Sequence, residues 1–254
     1  MTAWDTAQDH NGDFLLRIED IDTTRSRPEY EAAIFRDLAW LGLSWPDPVL
    51  RQSEHLDRYA AALDRLSDLG VTYPCRCTRA EIRAALSAPQ EGAKGHAVYP
   101  GTCRHRAMTE AGQRDAIRLD LAKALALASP LAWTETGPQD PGTHPLDPEE
   151  LAAGTGDVIL ARRDIGTAYH LAVVVDDAHQ GITHVVRGAD LREATPLHHL
   201  LQALLGLPVP VWHHHRLIRD ESHRRLAKRD DARAIARYRA EGATPADLRA
   251  LVGL

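Results

Sequence analysis

Three cysteines lie close enough in the sequence to hold one metal ion. Cys75 and Cys77 are one residue apart, and Cys103 follows after a loop. Three thiolates would leave one position of a zinc tetrahedron to a further ligand. The alternative is three unrelated or simply buried thiols. Histidine is the commoner zinc ligand in general, and three nearby side chains could complete the site: His96, His105 and Tyr99.

An acidic cluster follows a short apolar segment near the start of the chain. The segment from Arg17 to Asp22 reads Arg-Ile-Glu-Asp-Ile-Asp. Open α/β sheets bind ligands at the carboxyl ends of parallel strands, so Glu19 could hold the ammonium group of a substrate. An ordinary acidic surface loop is the alternative interpretation.

A second charged group follows a β-branched segment later in the chain. Arg187 comes directly after Val185-Val186 and directly before Gly188. A guanidinium at the edge of a sheet could hold a carboxylate through two parallel hydrogen bonds. A structural ion pair with an aspartate would explain the same pattern.

Basic residues outnumber acids between Arg216 and Arg239. This segment is either a solvated helical face or a surface that meets phosphate. A lysine in a loop there could neutralise phosphate charge as it develops in a transition state. The candidate pentamer is Arg225, Leu226, Ala227, Lys228 and Arg229.

The elements that would position these groups alternate between strands and helices. Pro28 predicts the first turn of a helix that ends near Gly42, and a second helix runs from about Glu54 to Gly70. A capping box at 78–81 predicts one more short helix. The predicted strands are 14–18, 157–161, 171–175 and 183–186, and helices follow from Pro196.

This alternation predicts an α/β domain with a doubly wound parallel sheet. Between 71 and 156 the cysteines and two Pro- and Gly-containing loops interrupt it. We therefore predict a single domain over 1–254 with an insertion at 71–156 that carries the metal site. With 254 residues, of which 44% are hydrophobic and 26% charged, the chain can fill one core and one inserted subdomain.

The composition excludes several classes of protein. The apolar segments are far too short to span a membrane, and the first residues contain no apolar signal sequence. An odd number of cysteines argues against a disulfide framework. A net charge of −6 argues against general affinity for nucleic acid. We expect a cytoplasmic monomer.

Taken together and in this order, the motifs resemble the glutamyl branch of class I aminoacyl-tRNA synthetases. Besides the segments above, the resemblance includes Gln52-Ser53-Glu54, the run from Tyr169 to Asp177, and the run from Ile182 to Leu191. Because the chain ends soon after the basic pentamer, with no room for an anticodon-binding region, it is similar within that branch to glutamyl-queuosine tRNA(Asp) synthetases.

The resemblance implies a class I synthetase fold that activates glutamate with ATP, brought as a magnesium complex, and transfers it to queuosine-containing tRNA(Asp). Glu19, Tyr169 and Arg187 would bind glutamate, with Arg187 on the side-chain carboxylate. Lys228 would be catalytic within the ATP-binding loop of five residues, 225–229. The implied zinc ligands replace the generic preference for histidine: Cys75, Cys77, Tyr99 and Cys103.

The chain departs from the family pattern in two places. In the lysine loop, Arg225 replaces a lysine and Ala227 a serine, while Lys228 is kept. The family begins with a strand, a Pro-Ser-Pro-Thr-Gly-like turn and a His-Ile-Gly-His-like helix start. We expect this chain to be truncated before them, with the first strand missing. The alternatives are a truncated, inactive zinc-containing relative that binds tRNA, and a fragment of a glutamyl-tRNA synthetase.

Overall fold

The computed structural model describes residues 1–78, 80–82, 98–128, 130–219 and 234–254. Within them the helices are α1 (Thr2–Asp9), α2 (Pro28–Trp40), α3 (Leu56–Asp68), α4 (Leu121–Leu127), α5 (Pro148–Gly154), α6 (Tyr169–His179), α7 (Thr195–Leu205), α8 (Ile235–Ala240) and α9 (Pro245–Val252). The strands are β1 (Arg17–Ile18), β2 (Leu50–Arg51), β3 (Thr72–Cys75), β4 (Ala116–Leu119), β5 (Ala132–Glu135), β6 (Gly142–Pro145), β7 (Ile159–Ala161), β8 (His184–Gly188) and β9 (Val211–His215).

The described strands form three sheets. β1 and β2 are parallel, and β3, β4 and β7 form an antiparallel sheet. The third sheet has the order β6-β5-β9-β8, in which β9 runs parallel to both β5 and β8. Parallel strands joined through helices confirm the α/β class. The insertion at 71–156 stays a prediction, and strands from that range pair with β7 and β9 outside it.

Two helices begin and end where the sequence indicates. Pro28 is the first residue of α2, and the turn after that helix contains Gly42 at φ +77°. Gly70 follows α3 at φ +72°, a left-handed conformation that costs glycine little. The capping box is also confirmed, because the Thr78 backbone N–H donates to Glu81 and the Glu81 backbone N–H donates to Thr78.

The predicted strand at 171–175 is wrong, because this segment lies inside helix α6. Seven consecutive residues of α6, from Leu171 to Asp177, are buried. A helix enclosed on every side shows no 3.6-residue alternation, so its apolar run looks like that of a buried strand. The predicted strand at 14–18 is confirmed only for its last two residues, which form β1.

The main core surrounds α6. Its buried residues come mainly from α3, α4, α6 and α7, with β4 and β7 contributing Leu119 and Leu160. No helix in the described part of the chain is long and apolar enough to cross a membrane. The antiparallel strands β4 and β7 thus pack against the same apolar core as α6.

Candidate active site and metal centre

The three thiols and one phenol converge at the end of β3. The Sγ atoms of Cys75, Cys77 and Cys103 all lie within 4.8 Å of one another. Cys77 Sγ is 3.5 Å from Cys103 Sγ, and the Tyr99 hydroxyl oxygen is 3.4 Å from both Cys75 Sγ and Cys77 Sγ. His105 is exposed and outside this group, and His96 lies outside the described residues.

This donor set fits a tetrahedral zinc ion. Zinc bonds of about 2.3 Å to sulfur and about 2.0 Å to oxygen place ligands roughly 3.4 to 3.8 Å apart in a tetrahedron. The distances from Cys77 Sγ to Cys103 Sγ and from the Tyr99 hydroxyl oxygen to the Sγ atoms of Cys75 and Cys77 match those edges. The sequence therefore brings the predicted ligands together, with Tyr99 rather than a described histidine beside the thiols.

Of these four side chains, Cys75, Tyr99 and Cys103 are buried and Cys77 is half-buried. Burial raises the pKa of the Cys77 thiol to about 11. Burial would also raise the pKa of Cys103, but hydrogen bonds, first from the Arg76 backbone N–H, outweigh it and lower that pKa. The Arg118 guanidinium carbon lies 3.8 Å from the centroid of the Tyr99 ring. A nearby cation favours the negative forms that bind metal.

The acidic motif after β1 divides its carboxylates between structure and an open cleft. Asp20 accepts hydrogen bonds from the Ser53 backbone N–H at 2.9 Å and the Ser53 hydroxyl at 2.6 Å. Arg17 donates to Asp177 at 2.9 Å. The Glu19 side chain stays 44% exposed, with Arg17 3.5 Å away. Because Asp20 and Asp177 are held by these contacts, Glu19 is the acid among these three that is most available to a ligand.

A cleft of about 790 Å³ lies beside Glu19. It is lined by α1, residues 12–19, the end of α6 and the start of β8, and Arg17, Glu19 and Asp177 are its charged residues nearest the acidic motif. This volume is typical of ligand pockets.

Helix α6 anchors the site at both of its ends. Asp176, near its C-terminus, is fully buried and accepts from the Tyr59 hydroxyl at 2.9 Å and the Gln52 side-chain amide at 2.8 Å. Gln52 thereby gives the Gln-Ser-Glu motif a structural role. Tyr169, at the N-terminus, lies close enough to Arg187 and Glu19 for the charges of both to act on its hydroxyl. Burial raises the pKa of Tyr169, so the phenol stays neutral.

Arg187, on β8, is held by three side chains. Its Nε donates to His214 Nε2 at 3.0 Å, its Nη1 contacts His198 Nδ1 at 3.1 Å, and its Nη2 donates to Thr195 Oγ1 at 2.8 Å. Burial lowers the pKa of Arg187, and the negative charge of Asp177 opposes that shift. The guanidinium remains charged because the ordinary pKa of arginine lies far above neutral pH.

Sequence reasoning missed the groups behind Arg187. They are Glu135, His170, His198 and His214, and they come from β5, α6, α7 and β9. No local spacing predicts them, since Glu135 and His214 are 79 residues apart. The available signal was the clustering of histidines, which appear as a pair at 198–199 and a triplet at 213–215. Lys228 and the pentamer 225–229 lie outside the described residues.

Comparison with known proteins identifies the class. The family model described as "tRNA synthetases class I (E and Q), catalytic domain" matches residues 1–254. The chain belongs to this family, as the sequence motifs indicated.

The relatives define the branch more narrowly. A glutamyl-Q tRNA(Asp) synthetase from Rhodobacter capsulatus is 54% identical over 99% of this chain and 92% of its own length. A second, from Nitratidesulfovibrio vulgaris, is 41% identical over 98% of this chain and 77% of its own. The resemblance to this branch is confirmed.

A solved structure supports the fold. The glutamate-tRNA synthetase from Elizabethkingia anophelis superposes with a TM-score of 0.70 and 26% identity, over 90% of this chain and 48% of that protein. The chain thus spans about half the length of that synthetase. The class I synthetase fold is confirmed.

Proposed function

We propose that this chain activates glutamate with ATP and transfers the glutamyl group to the queuosine base of tRNA(Asp). The observation that carries the proposal is the 54% identity, over almost the whole of both chains, to a protein named for that activity. The geometry around Arg187, Tyr169 and Glu19 supports it.

Arg187 would hold the side-chain carboxylate of glutamate. A guanidinium has five N–H donors. Three of them point to protein acceptors, one each from Nε, Nη1 and Nη2. One N–H on each terminal nitrogen remains for a ligand, and Tyr169 lies within electrostatic range of the same guanidinium. Two donors side by side match the two oxygens of a carboxylate.

Glu19 would hold the α-ammonium group. Arg17, its neighbour, is already held by Asp177 and Gln180 at 2.9 and 3.0 Å. The weaker 3.5 Å contact with Arg17 leaves Glu19 oxygens for a second cation. With Arg187 at one end of the site and Glu19 at the other, glutamate would be oriented so that its α-carboxylate is free to react with ATP.

In the first step an α-carboxylate oxygen of glutamate attacks the α-phosphorus of ATP. The bond to the bridging oxygen breaks, and pyrophosphate leaves with its electron pair. Mg²⁺ would be held mainly by phosphate oxygens. Lys228, in the ATP loop 225–229, would stabilise the charge that develops on the phosphates.

In the second step a hydroxyl of the queuosine cyclopentenediol attacks the carbonyl carbon of glutamyl-adenylate. AMP leaves, and the hydroxyl proton passes to solvent. No covalent bond to the protein is needed, because positioning and charge stabilisation carry such a transfer.

We further propose that Cys75, Cys77, Tyr99 and Cys103 hold one zinc ion with a structural role. Such an ion would fasten the end of β3 to the loop that contains Tyr99 and Cys103. We also place the protein in the cytoplasm, beside its ATP and tRNA, as a monomer, which light scattering would check.

The test combines two assays on the same preparation. Glutamate should support ATP–pyrophosphate exchange, while aspartate and glutamine should not. The activated glutamate should then be transferred to tRNA(Asp) that contains queuosine, and not to the same tRNA lacking it. Transfer to the 3′ end of tRNA(Glu) would instead identify a glutamyl-tRNA synthetase. Binding of tRNA without any exchange would support a non-catalytic relative.

A further inference from the structure

We propose that Glu135, His214 and His198 are positioning residues that fix Arg187 through two defined histidine tautomers. We infer that this relay, and not the charge of Arg187 alone, lets the site distinguish a carboxylate from an amide. The inference rests on the proposed function, because it concerns how glutamate is recognised at the same site.

The first arm of the relay begins at Glu135, which is 2% exposed. Its Oε1 accepts from the backbone N–H groups of Gly137 at 2.6 Å and His214 at 3.0 Å. Its Oε2 lies 2.5 Å from His214 Nδ1. A carboxylate only accepts, so Nδ1 carries the proton and Nε2 offers a lone pair to the Nε–H of Arg187.

The loop after β5 is built around this carboxylate. A Cβ atom at Gly137 would lie 2.7 Å from Glu135 Oε1 and would overlap the His214 carbonyl oxygen. Only glycine therefore allows the backbone N–H to approach Glu135. Burial alone would raise the pKa of Glu135, but hydrogen bonds from His214 and Gly137 outweigh it and lower that pKa.

The second arm runs through His198, which is 2% exposed. Its Nδ1 faces an Nη1–H of Arg187 and therefore accepts. Its Nε2 carries the proton and donates to His170 Nδ1 at 3.0 Å. Burial first, and then the charge of Arg187, lowers the pKa of His198 well below its usual value. Both histidines that contact Arg187 are thus neutral acceptors.

These contacts fix all three nitrogens of the guanidinium, with Thr195 completing the set. The remaining N–H groups can only donate. A carboxylate satisfies two donors, whereas a glutamine side chain would bring its own NH₂ against one of them. Sites built from fixed hydrogen-bonding groups reject the wrong partner strongly, because a buried group is left unpaired.

Glu135→Gln tests the first arm. The amide oxygen must face the two backbone N–H groups, so the NH₂ faces His214 Nδ1. The proton of His214 then moves to Nε2, opposite the Nε–H of Arg187. In a serine protease triad, replacing the aspartate that holds the histidine with asparagine is known to leave the histidine in the wrong tautomer. We expect KM for glutamate to rise roughly 10- to 100-fold, kcat to change much less, and discrimination against glutamine to fall.

Variants of two adjacent histidines test the second arm. His198→Gln keeps an acceptor for Arg187, and His198→Leu removes it. His199→Leu is the matched control, since His199 is also buried on α7, 5% exposed, and packs against the Trp212 ring. KM for glutamate should rise with His198→Leu, recover partly with His198→Gln, and stay unchanged with His199→Leu.

A third measurement does not depend on activity. Nitrogen-15 NMR of the histidine rings should show His214 protonated at Nδ1 and His198 at Nε2. Absence of exchange in the unsubstituted chain would count against the proposed function, and calorimetric glutamate affinity would then replace KM. The relay itself would be overturned by the opposite tautomer at His214, or by an unchanged glutamate affinity in Glu135→Gln.

Discussion

Replacing Arg187 with alanine should remove the main contact to the glutamate side chain. The substitution deletes the two N–H groups that remain after Arg187 has bound His214, His198 and Thr195. Hydrogen bonds to charged groups contribute about 1.5 to 3 kcal/mol each. Losing two therefore costs about 3 to 6 kcal/mol, which corresponds to roughly a 10²- to 10⁴-fold loss in kcat/KM for glutamate.

The assay is ATP–pyrophosphate exchange at varied glutamate and, separately, at varied ATP. KM for ATP should change by less than about threefold, because no ATP contact is assigned to Arg187. Arg187→Lys keeps the charge without the fork and should fall between alanine and the unsubstituted chain. Arg249→Ala, which removes a two-point pair with Asp5, controls for a general loss of folding.

Glutamate-dependent exchange in Arg187→Ala within about tenfold of the unsubstituted chain would contradict this role for Arg187. That result would mean that the carboxylate is recognised elsewhere. Equal losses in Arg187→Ala and Arg249→Ala, with matching losses of folded protein by circular dichroism, would point to stability instead of recognition.

Three further predictions concern the metal, the core and pH. Elemental analysis should find about one zinc ion per chain. A Cys75→Ser, Cys77→Ser double variant should lose that zinc, and full zinc retention in this variant would contradict the site. Asp176→Ala should lower the free energy of unfolding in urea by about 2 to 6 kcal/mol, because the Tyr59 hydroxyl and the Gln52 amide would lose their buried acceptor at about 1 to 3 kcal/mol each. A decrease of less than about 1 kcal/mol would contradict this. Burial lowers the pKa of His170 to about 4. In the unfolded chain the His170 imidazole has a pKa of about 6.5, so it is protonated at a higher pH than in the folded protein, and the free energy of unfolding should fall as pH drops from about 6.5 towards 4. A His170→Gln variant should lose less stability over this range, and an equal loss would exclude His170 as the cause.

Local chemistry made part of this fold predictable. Pro28 and Gly70 mark helix ends because their backbone preferences act within a few residues. The positions of Cys75, Cys77 and Cys103 predicted a common site because ligand geometry restricts spacing. Arg187 was a candidate because a strand and a glycine flank it, and its predicted role in binding glutamate came from the family resemblance.

The remainder depends on contacts that no window of sequence contains. Helix α6 was mistaken for a strand because burial on all sides removes its periodicity. The relay behind Arg187 joins β5 to β9, so Glu135 meets His214 only after the sheet has formed. The choice of Tyr99 over histidine as the fourth zinc ligand came from the family resemblance and not from spacing.

The burial of α6 from Leu171 to Asp177 also bears on how fast the site can change shape. Amide protons of a helix enclosed by the core exchange with solvent chiefly when the whole core opens. Tyr169 belongs to this helix, and Asp176 fastens its other end to Tyr59 and Gln52. Glutamate would therefore meet an assembled surface. Deuterium uptake in α6 should be nearly the same with and without glutamate, since the buried middle of the helix is expected to exchange slowly in both states.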